Sequence, residues 1–352
     1  VAYETLAGAT SGGDGNPSIL TSYTDTIVGQ LRAKAPVNGS FSSKMIAYHM
    51  GWTDQSGRPL QGSPGKLLRP ALCLWACEAC GSPAETALPA AAGLEWVHNF
   101  TLVHDDIQDG DRSRRGRDTV WAVWGLAQGI NAGDALFAKA FATLTAADGK
   151  YPERQLRAAR LIANAVLVVV EGQSLDLRFE GKPETPLRAY LRMVRAKTGA
   201  LIGASLQAGA VMAGADSALA ARLAHAGTLL GVAFQIRDDW LGTWGDSAIT
   251  GKSSSGDLGR CKLTFPVVAG YAAMGERERE QLRELFAVPR GTGDRMPEIR
   301  ALLEAAGGAD LTRGASQHFA DRAARIVETS GLPRQHIDQF LEVTHYVARR
   351  CR

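Results

Sequence analysis

Cysteine is scarce in this chain of 352 residues, with five in all, an odd number. Cys73, Cys77 and Cys80 fall at helical spacing in an Ala/Leu-rich run, and no fourth ligand stands nearby to complete a zinc site. They read as small core thiols of a protein in the reducing cytoplasm. Excess charge is lacking too: the formal net charge is +3, which excludes a general nucleic-acid surface and leaves the basic residues as local clusters. The apolar run at 166–170 is far too short to span a bilayer, so no transmembrane segment is expected, and no N-terminal signal pattern is visible. Alternating apolar and polar runs of the kind strands need are missing, as is any short-period repeat. What is present is an apolar fraction of 45%, enough for a large core, arranged in long helix-periodic stretches.

Residues 1–18 are rich in Gly, Ser, Thr and Ala without apolar period and read as a flexible tail; residues 19–352 then form a single domain. Helices are expected over residues 22–34, from about residue 66, and over 84–109, 119–145, 156–179, 187–212 and 217–241. Smaller ones follow at 263–274, 276–286, 296–306, 315–329 and 335–350. Residues 51–65 and 242–261 read as loops. The fold class is all-α. The closing cluster Arg349, Arg350 and Arg352 reads as solvated, with a closing role over the site as the alternative.

Chemistry concentrates in the run His104-Asp105-Asp106-Ile107-Gln108-Asp109, followed by Arg112, Arg114, Arg115 and Arg117. Asp105 and Asp109 form an i,i+4 pair on one helix face. Like charges held that close need burial, partners or a cation to offset their repulsion. A hard, oxygen-only donor set suits Mg²⁺, which takes one or two carboxylates and completes its shell with water and phosphate. The arginines beyond suit bidentate phosphate contacts. An isolated Asp-Asp-x-x-Asp is as often a solvated acidic helix end. A second run removes that ambiguity: Gln235, Asp238 and Asp239 again end an apolar helical stretch and are followed by Gly251-Lys252 and by Asp257-Leu258-Gly259-Arg260-Cys261-Lys262. Two aspartate pairs, each ending a helix and each trailed by cations, can face each other across a cavity.

With Gly65-Lys66-Leu67-Leu68-Arg69-Pro70, Glu95-Trp96-Val97-His98, Arg114-Arg115-Gly116-Arg117, Asn131-Ala132-Gly133-Asp134, Gln173 with Asp176, and Lys197-Thr198-Gly199, these motifs resemble those of the trans-prenyltransferases, the polyprenyl diphosphate synthases. They occur in the family's order across residues 60–270. The resemblance implies the isoprenoid synthase helical bundle around a deep cavity, a homodimer, and Mg²⁺ (three ions) bound with the diphosphate. It implies that Asp105, Asp109 and Asp238 bind metal, with Asp106 and Asp239 in support. Arg114, Lys197 and Lys252 would hold an allylic diphosphate, and Lys66, Arg69, His98 and Arg115 isopentenyl diphosphate. Thr198 and Gln235 would steady the carbocation or the metal shell.

Product length is expected to be set below the first aspartates. Thr101 lies one helical turn before Asp105 and Phe100 on its flank. A single aromatic there resembles the archaeal-type geranylgeranyl diphosphate synthases, with farnesyl diphosphate as the competing product. The chain departs from the family pattern at Gly242, where a carboxylate is usual, at Asp118, where proline is common, and at Cys261, which interrupts a basic region. A class I terpene cyclase would need a different second metal motif, and a non-catalytic partner subunit would be expected to lose the first aspartates.

Overall fold

The longest apolar-periodic stretches become the longest helices. In the computed structural model, which describes residues 16–35, 39–60, 65–146, 150–245, 261–287 and 295–350, three helices frame the interior: α5 (Leu88–Gln108), α8 (Pro152–Phe179) and α11 (Ser217–Trp244). Before α5 come α1 (Ser18–Ser22), α2 (Thr24–Ala33), α3 (Phe41–His49) and α4 (Leu68–Ala79). Between the long helices run α6 (Val120–Trp124), α7 (Leu126–Leu144), α9 (Leu187–Val194) and α10 (Ala200–Ala213). The chain finishes with α12 (Phe265–Ala273), α13 (Glu276–Ala287), α14 (Met296–Ala305), α15 (Gly308–Glu328) and α16 (Arg334–Arg349). The protein is thus an all-α bundle, as the patterning predicts. α10 is its axial element: it is buried nearly all round and packs on α4, α8 and α11. Such a helix, apolar on every face, belongs in a core. Cys73, Cys77 and Cys80 are free thiols, with Cys73 and Cys77 in the core.

Helix starts follow local chemistry. Asp216 caps α11 by accepting from the Ala218 and Leu219 amides (2.8 and 2.9 Å), and Ser40 caps α3 by accepting from Ser43 N. α8 and α5 open with proline in the first turn, where its missing N–H costs nothing. So Pro89 begins α5, and the preceding residues Ala84–Ala87 form a 3₁₀ turn. The expected helix over 119–145 is two helices, because Gly125 at φ 88° breaks it. The expected 187–212 helix carries a π turn at Arg195–Gly199. α3 has no counterpart in the sequence reading. Nor does the two-residue hairpin pairing β1 (Ser113–Arg114) with β2 (Arg117–Asp118), which is too short for any alternation to register.

α8 and α11 are long and apolar enough to cross a membrane by length and composition, but both pack against α10 within the bundle. Ser18 donates from its backbone N and Oγ to the Glu342 carboxylate (3.2 and 2.8 Å), tying α1 to α16. Residues 1–15, Gly251, Lys252 and residues 257–260 lie outside the described residues.

Candidate active site

Helix ends converge on one cavity of about 640 Å³. The C-terminal turn of α5 brings Asp105 to it, α11 brings Gln235 and Asp238, and the π turn brings Lys197 and Thr198. Lys66 and Arg69 at the start of α4, His98 on α5, and Arg114 and Arg115 on the hairpin line it as well. Phe100 and Thr101 line the same space. Of the sequence-predicted residues, Asp109 stands just behind the lining, its carboxylate accepting from Lys262 Nζ at 2.6 Å. Lys252 is outside the described residues.

The acidic side is held by cations of the chain itself. Burial pushes the Asp105 carboxyl above the ordinary aspartate range, against the pull of Lys197, and Asp109 adds to the rise. Buried Asp106 accepts from Arg114 Nε at 2.7 Å. Burial still lifts its carboxyl to about 6, with Arg114 opposing. Asp238 accepts from Arg350, whose side chain is 3% exposed. Arg350 also donates to the Phe234 carbonyl (3.2 Å). Its backbone carbonyl accepts from Arg237 Nε (2.9 Å), which fixes the end of α16 against α11. Arg350 is therefore a site residue, which corrects the solvated reading in favour of the alternative at the site: α16 packs on α11, and Arg350, just beyond its end, lines the cavity. The three aspartates meant for metal offer only hard oxygens, and two already hold an ammonium and a guanidinium. That donor set, divided between α5 and α11 so that neither builds a closed cage, fits Mg²⁺ completed by water and phosphate.

The π turn explains Lys197-Thr198-Gly199 inside a helix. Wide turns of this kind are rare and cluster at functional sites. This one is seated on α8 at Gly172, where an added Cβ would come within 2.2 Å of Lys197 N. Lys197 Nζ donates to Asp176 Oδ2 at 2.6 Å. Burial works against its charge, but Asp176 and Asp105 more than offset this and hold the ammonium above the usual lysine range. Thr198 Oγ1 donates to Gln235 Oε1 (2.9 Å) and Gln235 Nε2 to Asp239 Oδ1 (2.9 Å). Asp239 also accepts from the Tyr190 hydroxyl and the Phe265 amide. It thus supports the site from behind without lining the main cavity.

The basic side depends on two tight backbones. Arg115 (φ 53°) and Gly116 (φ 73°) are the paired left-handed residues of a two-residue hairpin turn, which projects the Arg115 side chain toward Gly65. Gly65 has φ 79°, and a Cβ there would meet the Arg115 guanidinium at 3.0 Å. Burial pulls both Arg69 and Arg115 below the usual arginine range, opposed most by Glu95. Arg69 Nε is buried without a partner, as expected of a donor waiting for an anion. Burial, with Arg69 and Arg115 beside it, drives the His98 imidazole well below its normal value, so His98 is a neutral hydrogen-bonding group. Lys66 Nζ lies 5.6 Å from the Tyr346 ring centroid on α16.

Below Asp105 the wall is aromatic. The Phe100 ring meets those of His104 and Phe137 edge-on, each at 5.2 Å between centroids, and Phe137 lies tilted against Phe141 at 5.0 Å. Thr101 Oγ1 is turned back onto the His98 carbonyl (2.8 Å), leaving its methyl to the cavity. Sequence reasoning also missed Lys262. Its signal was the basic run after Asp257, which spacing alone could not aim at Asp109.

Residues 51–303 match the family model described as Polyprenyl synthetase. The chain is 42% identical over 270 residues to the geranylgeranyl diphosphate synthase of Mycobacterium tuberculosis, covering 76% of each chain. It is 36% identical over 309 residues to the (2E,6E)-farnesyl diphosphate synthase of the same organism, covering 87% of this chain and 85% of that one. The crystal structure of a polyprenyl synthetase from Streptomyces coelicolor A3(2) superposes with a TM-score of 0.87 at 36% identity, over 94% of this chain and 98% of the other.

Proposed function

The chain belongs to the polyprenyl synthetase family of prenyltransferases, and from that premise we propose that it condenses isopentenyl diphosphate head to tail with an allylic diphosphate, in the presence of Mg²⁺, to give geranylgeranyl diphosphate. The observation that carries the reading is one cavity lined by cations and hydrogen-bonding groups enough for two diphosphates: Lys66, Arg69, His98 and Arg115, and, each ion-paired to an aspartate, Arg114 and Lys197. A cyclase acting on one substrate needs fewer.

Asp105, Asp109 and Asp238 would hold Mg²⁺, three ions by family correspondence, which when bound would supply positive charge opposite a departing diphosphate. The chain's own groups do the rest. Lys197 and Arg114, with Lys252, bind the allylic diphosphate and stabilise the negative charge that grows on it as its carbon–oxygen bond breaks and the electron pair leaves with oxygen. Lys66, Arg69, His98 and Arg115 hold isopentenyl diphosphate so that its double-bond electrons form the new bond to the allylic carbon. The resulting tertiary cation loses a proton to the released diphosphate, restoring a double bond. Thr198 and Gln235 present oxygen dipoles to the passing positive charge. The apolar walls from α5 and α8 exclude water that would quench it.

The outer faces of α7 and α8 support a homodimer. Leu126 and Ile130 on α7 and Leu156 and Leu167 on α8 are large apolar side chains left exposed, Leu167 at 70%, and such surface favours a partner. Sedimentation at micromolar concentration tests this. We place the enzyme in the cytoplasm, with residues 19–352 as one catalytic domain. The decisive assay incubates protein, Mg²⁺, labelled isopentenyl diphosphate and each allylic primer, and sizes the products by chromatography. A C20 product supports the proposal. A C15 end product reassigns it to farnesyl diphosphate, and cyclisation of one allylic diphosphate without label uptake overturns it.

A further inference from the structure

Two side chains that no step above uses stand behind the cavity and decide how its cation-facing groups are polarised. Tyr190 on α9 and Asp239 on α11 are both buried, and neither lines the main cavity. The Tyr190 hydroxyl and the Phe265 amide (2.7 Å) both donate to Asp239 Oδ2. Burial, with the Asp239 charge beside it, drives the Tyr190 hydroxyl well above the usual tyrosine range, so it stays protonated and a donor. Its ring is set edge-on against Phe265, 5.7 Å between centroids. The other carboxylate oxygen, Asp239 Oδ1, accepts from Gln235 Nε2 at 2.9 Å. A carboxylate only accepts, so it selects the nitrogen of the Gln235 amide and turns Oε1 the other way, onto Thr198 Oγ1 at 2.9 Å. An amide oxygen likewise only accepts, so Thr198 must donate. A hydroxyl has one proton and two lone pairs. With the proton committed to Gln235, the lone pairs are what Thr198 offers the cavity it lines.

We infer that Tyr190 and Asp239 are positioning residues which, through the Gln235 amide, hold the Thr198 hydroxyl with its lone pairs rather than its proton toward the allylic carbocation. The inference rests on the condensation proposed above. An amide and a hydroxyl are each reversible. With Gln235 flipped, its Nε2 would donate to Thr198, and the Thr198 proton would turn to the cavity. The two states match in shape and volume but are opposite in the sign of the dipole that meets a developing cation. A dipole fixed in advance costs no reorganisation as charge develops, whereas one free to reverse does. Here the sense is set by a backbone N–H, that of Phe265, which has no acceptor form, and by a tyrosine kept protonated. Tyr190 and Asp239 touch no substrate in this arrangement, so their effect belongs in the chemical step and not in binding.

The isosteric change Asp239→Asn separates polarity from shape. The Tyr190 hydroxyl and the Phe265 amide both need an acceptor and so claim the new side chain's oxygen, which turns its NH2 toward Gln235. The Gln235 amide then reverses, and the Thr198 proton swings into the cavity. Steady-state kinetics on the full chain at saturating Mg²⁺ should show kcat lower by about a hundredfold, with both KM values little changed. Adding Gln235→Glu returns an acceptor to the line. The new carboxylate accepts from the new amide on one oxygen and from Thr198 on the other, and the exchange leaves net charge unaltered. The double variant should regain at least about tenfold in kcat over Asp239→Asn alone, which a loss of packing would not allow. Should Asp239→Asn not fold, Tyr190→Phe decides: it should lower kcat severalfold at unchanged KM values, and do nothing further once Thr198→Val has removed the hydroxyl. An unchanged kcat in Asp239→Asn, no recovery on adding Gln235→Glu, or an effect of Tyr190→Phe that persists undiminished beside Thr198→Val overturns the inference. If the parent transfers no isopentenyl unit to any primer, the condensation reading has failed and the inference with it. If the parent condenses and the variants behave otherwise, only the positioning role has failed.

Discussion

Replacing Phe100 with Ala should lengthen the product by one isoprene unit. The diphosphate end of the growing chain is anchored at Asp105, so its hydrocarbon tail runs down α5 past Thr101 to the Phe100 ring, which is braced by Phe137 and His104. Removing the ring deletes roughly six carbons of volume, against roughly five in an isoprene unit, and burying those five is worth about 4 kcal/mol at ~0.8 per methylene. One further addition is thus accommodated and favoured, while a second meets Phe137 and Phe141 behind. The loss of stability should fall below the ~3–5 kcal/mol typical of a buried aromatic, because Phe100 is only partly buried. The readout is the chromatographic distribution of labelled products from folded protein, checked by circular dichroism, since rate would confound folding damage with pocket shape. Thr101→Phe is the converse: it fills the turn below Asp105 and should shift products toward C15. If both variants fold and keep the parental distribution, the pocket floor lies elsewhere and the geranylgeranyl assignment loses its structural support.

Asp105→Ala or Asp238→Ala should reduce turnover at least a thousandfold, on the order of the ~4 kcal/mol that one preorganised transition-state contact supplies, with the helical fold retained; retention of more than a tenth of the activity would remove that aspartate from the metal set. Gly242→Asp adds a carboxylate one turn beyond Asp238 on a helix that continues to Trp244, so half-maximal activity should need less Mg²⁺ with the product unaltered, and a large loss of activity would mean glycine is required there. Gly172→Ala drives a methyl into the Lys197 backbone; it should cost roughly 1–3 kcal/mol of stability by overpacking and raise KM for the allylic primer, and a variant as stable and active as the parent would refute the close seating of the π turn.

Much of this was legible in the residues because helix periodicity and motif order are local. The apolar stripes foretold α5, α8 and α11 to within a few residues, and the Asp105, Asp238, Lys197 and Arg69 motifs all reach one cavity. What escaped depends on contacts distant in sequence. Arg350 reads as one of three terminal cations until α16 docks on α11 and Arg237 grips its carbonyl. Lys262 finds Asp109 across 153 residues. His49 lies in a helix whose apolar pattern is too weak to announce it, and its ring meets the Asn99 amide fifty residues on. The hairpin carrying Arg115 was invisible because a turn with two left-handed residues, one of them arginine, lacks the usual Asn-Gly signal.

The π turn at Arg195–Gly199 also bears on how this chain tolerates change over evolutionary time. A π turn holds about one residue more than an α turn, so the register of α9 is offset from that of α10 by roughly 100°. A single-codon deletion within 195–199 would relax the turn to a plain α-helix and preserve every backbone hydrogen bond downstream. It would also swing Lys197 and Thr198 off the face that meets Asp176 and Gln235. Such a lesion would be nearly silent in helical content yet severe in catalysis. A one-residue gap here between related sequences would therefore mark a change of helical phase, with a different set of side chains turned toward the cavity.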